Sequence, residues 1–260
     1  MKTIKVLFLS NSFGDDTIEY MPQITKELGI DVDIYNLYIG GCSISTHIDN
    51  LINDKKLYSL RSFNKEKEVW ETVDEISSKQ FIASKSWNYL VLQQSSYYSG
   101  LENGLDGIQD LLDLIKPLLL NKKTEFIWNM TWAYPKHSDL EIFEQAFQKD
   151  QKKMYQAILD NVKKDIVPNK EFSLIIPNGT ALMYAREHVS DTLLHRDGFH
   201  LSFDYGRFLA GLTATRTIFN VDISKVKYHP ENTSRDICEI LKGCATRAFM
   251  FPFEGLNEIK

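Results

Sequence analysis

Short apolar runs alternate along the chain with stretches whose apolar residues recur every three or four positions. Lys5–Ser10 reads as a buried strand. Thr17–Leu28 places Ile18, Met21, Ile24 and Leu28 at helical spacing, with Gly29 as a stop signal. Asp31–Ile39 reads as a second strand ending at Gly40-Gly41, and Ser45–Leu51 as a helix. Residues 57–75 hold two strand-like pieces around Asn64-Lys65, which predicts a hairpin insertion near 56–76. Trp87–Gln93, Glu125–Met130 and Phe172–Ile176 read as three further buried strands. Leu105–Leu120, Leu140–Lys164, Ser202–Phe219 and Ser234–Phe249 read as helices. Five buried strands separated by helices predict an α/β fold with a five-stranded parallel sheet covered on both faces. No linker, repeat or low-complexity segment interrupts the pattern, so a single domain over residues 1–260 is expected.

Composition narrows the partners. The chain is 43% hydrophobic and 25% charged, ordinary for a globular protein of 260 residues. Thirty Lys and Arg against 35 Asp and Glu leave a net charge of −5, and no basic stripe appears, so no nucleic-acid partner is expected. Lys55-Lys56 and Lys152-Lys153 read as solvated faces. No apolar stretch approaches the ~20 residues of a membrane span. The apolar part of MKTIKVLFLSNSF is too short for a signal peptide. Cys42, Cys238 and Cys244 form neither a disulfide framework nor a CxxC knuckle. These features predict a cytoplasmic protein with no membrane partner, or a secreted or periplasmic one if a leader has been removed. His47, His137, His188, His195 and His229 show no metal-binding spacing, so no metal or cofactor is expected. The sequence does not set the oligomeric state.

In open parallel sheets the site lies beyond the carboxyl ends of the strands. The predicted strands run into Asn11-Ser12, Gly40-Gly41-Cys42-Ser43, Gln93-Gln94-Ser95-Ser96, Thr131-Trp132-Ala133-Tyr134 and Asn178-Gly179-Thr180. Further on stands Asp197-Gly198-Phe199-His200. A serine hydroxyl needs a positioned base to act as a nucleophile, and a histidine steadied by a carboxylate supplies one. Asp197 and His200 are one turn apart, and Gly198 between them allows a tight bend. Candidate donors for an oxyanion are the Ser12 N–H, the Gly41 N–H and the Gln94 side-chain amide. The first turn, NSFGDD, has neither a GxGxxG pattern nor a P-loop lysine, which argues against a nucleotide site. Trp132 and Tyr134 either stack on a sugar or aryl group or fill the core. Arg186 and Arg196 either hold an anionic substrate or form ion pairs. Cys42 reads as a small buried residue.

The set Asn11-Ser12-Phe13, Gly41, Gln94 and Asp197-x-x-His200 resembles the SGNH (GDSL-type) hydrolase superfamily. The segments NSF, IGGCS, LVLQQ, TWAY and DGFHLS resemble an uncharacterised bacterial branch of it, over roughly residues 4–215. The resemblance implies a flavodoxin-like three-layer α/β/α sandwich. It implies Ser12 as nucleophile, His200 as base, Asp197 as third member, and the Ser12 and Gly41 amides as oxyanion donors. The family's third block carries an Asn in a GxND motif, whereas this chain has Gln93-Gln94-Ser95-Ser96-Tyr97. The Asn role is carried to Gln94. The expected activity is hydrolysis of small acyl esters, acetyl above all, on a carbohydrate or small molecule. A thioesterase or lipid esterase on the same residues is one alternative, and a non-catalytic sugar-binding domain is another.

Overall fold

The computed structural model describes residues 3–254. The chain begins with β1 (Ile4–Ser10), α1 (Ser12–Ile18), α2 (Met21–Glu27), β2 (Val32–Tyr38) and α3 (Ile44–Ile52). Then come β3 (Tyr58–Asn64), β4 (Val69–Ile76), α4 (Ser78–Ile82), β5 (Tyr89–Leu92), α5 (Ser96–Ser99) and α6 (Ile108–Ile115). The second half runs β6 (Glu125–Asn129), α7 (Glu141–Phe147), α8 (Gln151–Asn161), β7 (Phe172–Ile176), α9 (Asn178–Ala185) and α10 (Asp191–Leu194). Two long helices, α11 (Tyr205–Phe219) and α12 (Arg235–Met250), close the described chain.

The strands form one sheet in the order β4-β3-β2-β1-β5-β6-β7. Its parallel part is β2-β1-β5-β6-β7, the flavodoxin-like order. The sheet has seven strands rather than the expected five. The hairpin of β3 and β4 pairs antiparallel onto β2, with Tyr35 opposite Ser62 and Tyr38 opposite Ser59, and so extends the sheet. This covers the polar edge of β2, and the new edge strand β4 exposes Asp74 and Glu75, charges that discourage further pairing.

Two predicted helices are each broken in two. Pro22 lies in the first turn of α2. It has no N–H for the Ile18 carbonyl, and its ring would clash there, so Thr17–Leu28 cannot be continuous. Between α7 and α8, Gln148 and Lys149 both take left-handed backbone (φ 57 and 54). The Asp150 carboxylate then accepts from Lys152 N and Lys153 N and starts α8 afresh.

β1 is the centre of the molecule. Val6 to Ser10 have no solvent exposure. Leu7 and Leu9 pack into a cluster with Ile44, Leu51 and Leu111, while Val6 and Phe8 pack on the other face with Ile18, Met21, Ala214 and Ile218. Helices therefore cover both faces, and the reversal of strand order at β1 opens a crevice beyond its carboxyl end. Gly14 lets α1 lie close there, since a Cβ on it would fall 1.8 Å from Ser10 Oγ and 2.6 Å from Ser10 Cβ. Among the described residues, no helix is long and apolar enough to cross a membrane.

Beneath the turn after β2, His47 is fully buried, with Nδ1 2.8 Å from the Tyr58 hydroxyl and 3.4 Å from Cys42 Sγ. Burial pushes the Cys42 thiol up to about 12, so it stays protonated. Burial pushes His47 down to about 3 from the ordinary 6.5. His195 is also pushed down to about 3, by burial first and then by the Arg186 charge.

Two outcomes follow from this packing. Gly14→Ala should cost about 1–3 kcal/mol through overpacking against Ser10, read as a lower denaturation midpoint at unchanged m-value. The buried histidines should make the fold acid-sensitive. Unfolded, each binds a proton near pH 6.5, whereas folded, each waits until about 3. Their stabilising effect is complete above pH 6.5 and falls as pH drops through that window, by up to about 1.4 kcal/mol per pH unit for each group. The melting temperature should therefore decline between pH 7 and 5, and a folded His47→Gln variant should decline less. An equal decline in that variant would assign the acid sensitivity elsewhere.

Candidate active site

β1 delivers Asn11 and Ser12 to the crevice. The Asn11 side chain accepts from Phe13 N at 3.0 Å and caps α1, which leaves Ser12 as its first residue. Among the described residues, the Ser12 N–H has no protein acceptor. The Ser12 side chain meets His200 from the far end of the chain. Ser12 Oγ and His200 Nε2 are 2.8 Å apart, and His200 Nδ1 and Asp197 Oδ2 are also 2.8 Å apart.

The proton positions follow from chemistry. Asp197 Oδ1 accepts from Phe199 N at 2.9 Å and His200 N at 2.7 Å. Partial burial works against ionisation of this carboxyl, but those two N–H groups and the His200 ring outweigh it and hold its pKa below the usual value. An ionised carboxylate only accepts, so His200 Nδ1–H donates to it. The neutral ring then has a free lone pair on Nε2, which accepts the Ser12 hydroxyl proton. The serine, imidazole and carboxylate thus form one hydrogen-bonded line.

Gly198 contributes space rather than left-handed backbone. Its φ lies outside the positive range, and a Cβ there would fall 3.2 Å from Ser138 Oγ. At the end of β2, Gly41 carries φ +64, while Gly40 does not. Gly41 is exposed, and its N–H has no protein acceptor among the described residues. Asn11 Nδ2 donates to Cys42 O at 2.9 Å, which ties this turn to the one that holds Ser12.

Three sequence-based expectations are corrected. Gln94 does not offer a free amide at the rim. It is 4% exposed, its Nε2 donates to Gly104 O at 2.6 Å, and its Oε1 accepts from Ile44 N and Ser95 N. That side chain staples α3 to the loop before α6. Trp132 is fully buried, stacks on Phe13 with ring centroids 4.0 Å apart, and donates from Nε1 to Phe199 O at 2.9 Å. Tyr134 is also buried, with its hydroxyl 2.9 Å from Ser96 Oγ. Neither ring offers a face to a ligand.

The two arginines form ion pairs. Arg186 Nε donates to Asp191 Oδ1 at 2.8 Å and Arg186 Nη2 to Ala133 O at 2.7 Å. Arg196 Nη1 donates to Asp16 Oδ1 at 2.9 Å.

A chain of side-chain amides under the site has no counterpart in the sequence-based reading. Asn178 Nδ2 donates to Asn129 Oδ1 at 2.8 Å, Asn129 Nδ2 to Gln93 Oε1 at 2.9 Å, and Gln93 Nε2 to Asn11 Oδ1 at 2.7 Å. Asn11 then donates to Cys42 O, as above. One amide at the end of each of β7, β6, β5 and β1 reaches toward the next strand, ending on the turn after β2. The signal available in the sequence was an Asn or Gln at each of those strand ends. Asn178 therefore belongs to this chain and does not cap α9. Among the described residues, no group of three or more His, Cys, Asp and Glu side chains is placed to hold a metal ion.

A search of curated proteins returns no match. Among solved structures, a DUF4886 family protein from Bacteroides uniformis is 30% identical, covers 100% of both chains and superposes with a TM-score of 0.90. A proposed SGNH hydrolase from Slackia heliotrinireducens is 16% identical over 84% of this chain and 100% of its own, with a TM-score of 0.51, a likeness of fold. The fold is that of SGNH hydrolase structures, as the sequence motifs implied. A family model described as a domain of unknown function, DUF4886, matches residues 5–248, and the chain belongs to that family.

Proposed function

We propose that the chain is a serine esterase that cleaves small acyl esters through an acyl-enzyme. The observation that carries this reading is the Ser12–His200–Asp197 line, with both of its hydrogen bonds at 2.8 Å. His200 Nε2 takes the Ser12 proton as Oγ attacks the ester carbonyl. The carbonyl oxygen becomes an oxyanion, for which the Ser12 and Gly41 N–H groups are the free donors. His200 passes its proton to the leaving alkoxide, and water then repeats the sequence to release the acid. Asp197 holds the ring in the required tautomer and steadies the imidazolium. The motif resemblance and the fold likeness support the same chemistry. Acetyl esters are the preferred substrates in this reading. With Trp132 and Tyr134 buried, neither of them supplies an aromatic platform, and the carbohydrate half of the proposal rests on the resemblance alone. The hydrogen-bonded line disfavours a purely sugar-binding role.

The test is hydrolysis of p-nitrophenyl esters. Ser12→Ala should lose at least about a thousandfold in kcat, and His200→Ala should lose a similar amount. Equal turnover in Ser12→Ala would remove the serine from the mechanism. Rates should fall beyond acyl chains of two to four carbons, and a maximum at eight carbons would favour the lipid-esterase alternative.

A further inference from the structure

The loop carrying His200 closes on itself. Ser202 N donates to Leu194 O at 2.8 Å, and Arg196 N donates to His200 O at 3.2 Å. Such a loop is rigid internally, but these bonds do not fix where it sits against Ser12. Contacts with the rest of the fold do so: Arg196 donates to Asp16, Phe203 O accepts from the Tyr20 hydroxyl, and two more fall on the two neighbours of His200. Leu201 N donates to Asp16 Oδ2 at 2.9 Å. Phe199 O accepts from Trp132 Nε1 at 2.9 Å.

Both anchoring side chains also belong to, or rest on, the helix that starts at Ser12. Asp16 lies one turn further along α1, and Trp132 stacks flat on Phe13, with an interplanar angle of 3°. Each gives a short path from nucleophile to base. One runs Ser12–Phe13–Trp132–Phe199–His200, and the other runs along α1 to Asp16, Leu201 and His200.

Asp16 has no solvent exposure, and its charge is matched by two arginines. Arg196 Nη1 donates to its Oδ1 at 2.9 Å, and Arg207 Nε donates to the same oxygen at 2.8 Å. Arg207 Nη1 reaches Glu19 Oε2 at 2.7 Å. Arg61 sits 3.1 Å from Asp15 and 3.6 Å from Glu19. Asp15 and Asp16 of α1 and Glu19 just after it thus face three arginines drawn from β3, the His200 loop and α11. A buried carboxylate held from several directions has one position available to it.

We propose that Asp16 and Trp132 are positioning residues, two struts that set the Ser12–His200 distance from either side of His200. The inference rests on the esterase reading for its kinetic consequence, while the geometry it claims is independent of it. Neither side chain touches the reacting atoms. Loss of one strut shifts the imidazole against the serine. A misplacement of about 1 Å is worth roughly a hundredfold in rate, with little change in how substrate is held.

The test compares Asp16→Asn and Trp132→Phe with the wild-type chain. Trp132→Phe keeps an aromatic ring to stack on Phe13 and deletes the N–H donor along with part of the buried ring, so it carries the test if Asp16→Asn does not fold. Hydrolysis of p-nitrophenyl acetate should fall in kcat, roughly tenfold for Trp132→Phe and up to roughly a hundredfold for Asp16→Asn, with KM within about twofold of wild type. Proton NMR supplies the second readout. In a proton-detected long-range proton–nitrogen spectrum, the His200 Nε2 shift, which reports the hydrogen bond accepted from Ser12, should move in each variant toward the value it takes in Ser12→Ala. Wild-type kcat together with an unchanged signal in a folded variant would overturn the proposal. If Ser12→Ala leaves hydrolysis intact, the esterase reading falls. The Nε2 signal then decides the struts alone: left at its wild-type position in the variants it contradicts them, and shifted it supports them.

Discussion

A single hydrogen bond, Ser12 Oγ to His200 Nε2, joins positions 188 apart in sequence, and the chemistry proposed for the chain depends on it. Such a contact is worth only about 1 kcal/mol net and does not hold itself in place. The burden falls on the surrounding structure. β1 is buried on both faces at the centre of the sheet, so the turn that follows it starts from a fixed point. The amide chain from Asn178 through Asn129 and Gln93 to Asn11 then locks that turn against its neighbours.

The polar groups beneath the site are linked to one another, with Asn178 Oδ1 at the end of the amide chain left without a partner among the described residues. Buried amides and charges are costly when unpaired, so each link in the Asn–Gln chain depends on the next. The same holds for Asp16 with Arg196 and Arg207. Networks of this kind add little net stability, since the desolvation of each group offsets much of its gain. What they supply is a single geometry, which a nucleophile and base at 2.8 Å require. The hydrophobic layers on either face of the sheet provide the stability that makes these polar links affordable.

Much of this was legible in the sequence. β1, β5 and β6 follow from apolar runs, because a strand buried on both faces reads as an apolar segment, whereas β2 carries Asp33 and Asn36 and β7 carries Ser173. Ser12 stood out by its strand-end position, and Asp197 and His200 by their three-residue spacing and the family resemblance, and the structure brings the three into contact. Other features depend on side-chain direction, which spacing does not reveal. Trp132 follows a strand as a ligand-facing residue would, yet its ring turns inward onto Phe13. Gln94 has the right amide but directs it to Gly104. The hairpin was visible as two strand-like pieces, but not its pairing with β2, because register between distant segments is set by the folded sheet.

The most direct measurement of the central claim is peptide mapping by mass spectrometry after treatment with a fluorophosphonate. A serine whose hydroxyl proton is accepted by a positioned imidazole attacks this reagent, while ordinary surface serines do not. One adduct on the peptide carrying Ser12, absent when His200 is replaced by alanine, is the predicted result. An unlabelled chain, an adduct on another residue, or Ser12 labelling that persists without His200 would contradict the account.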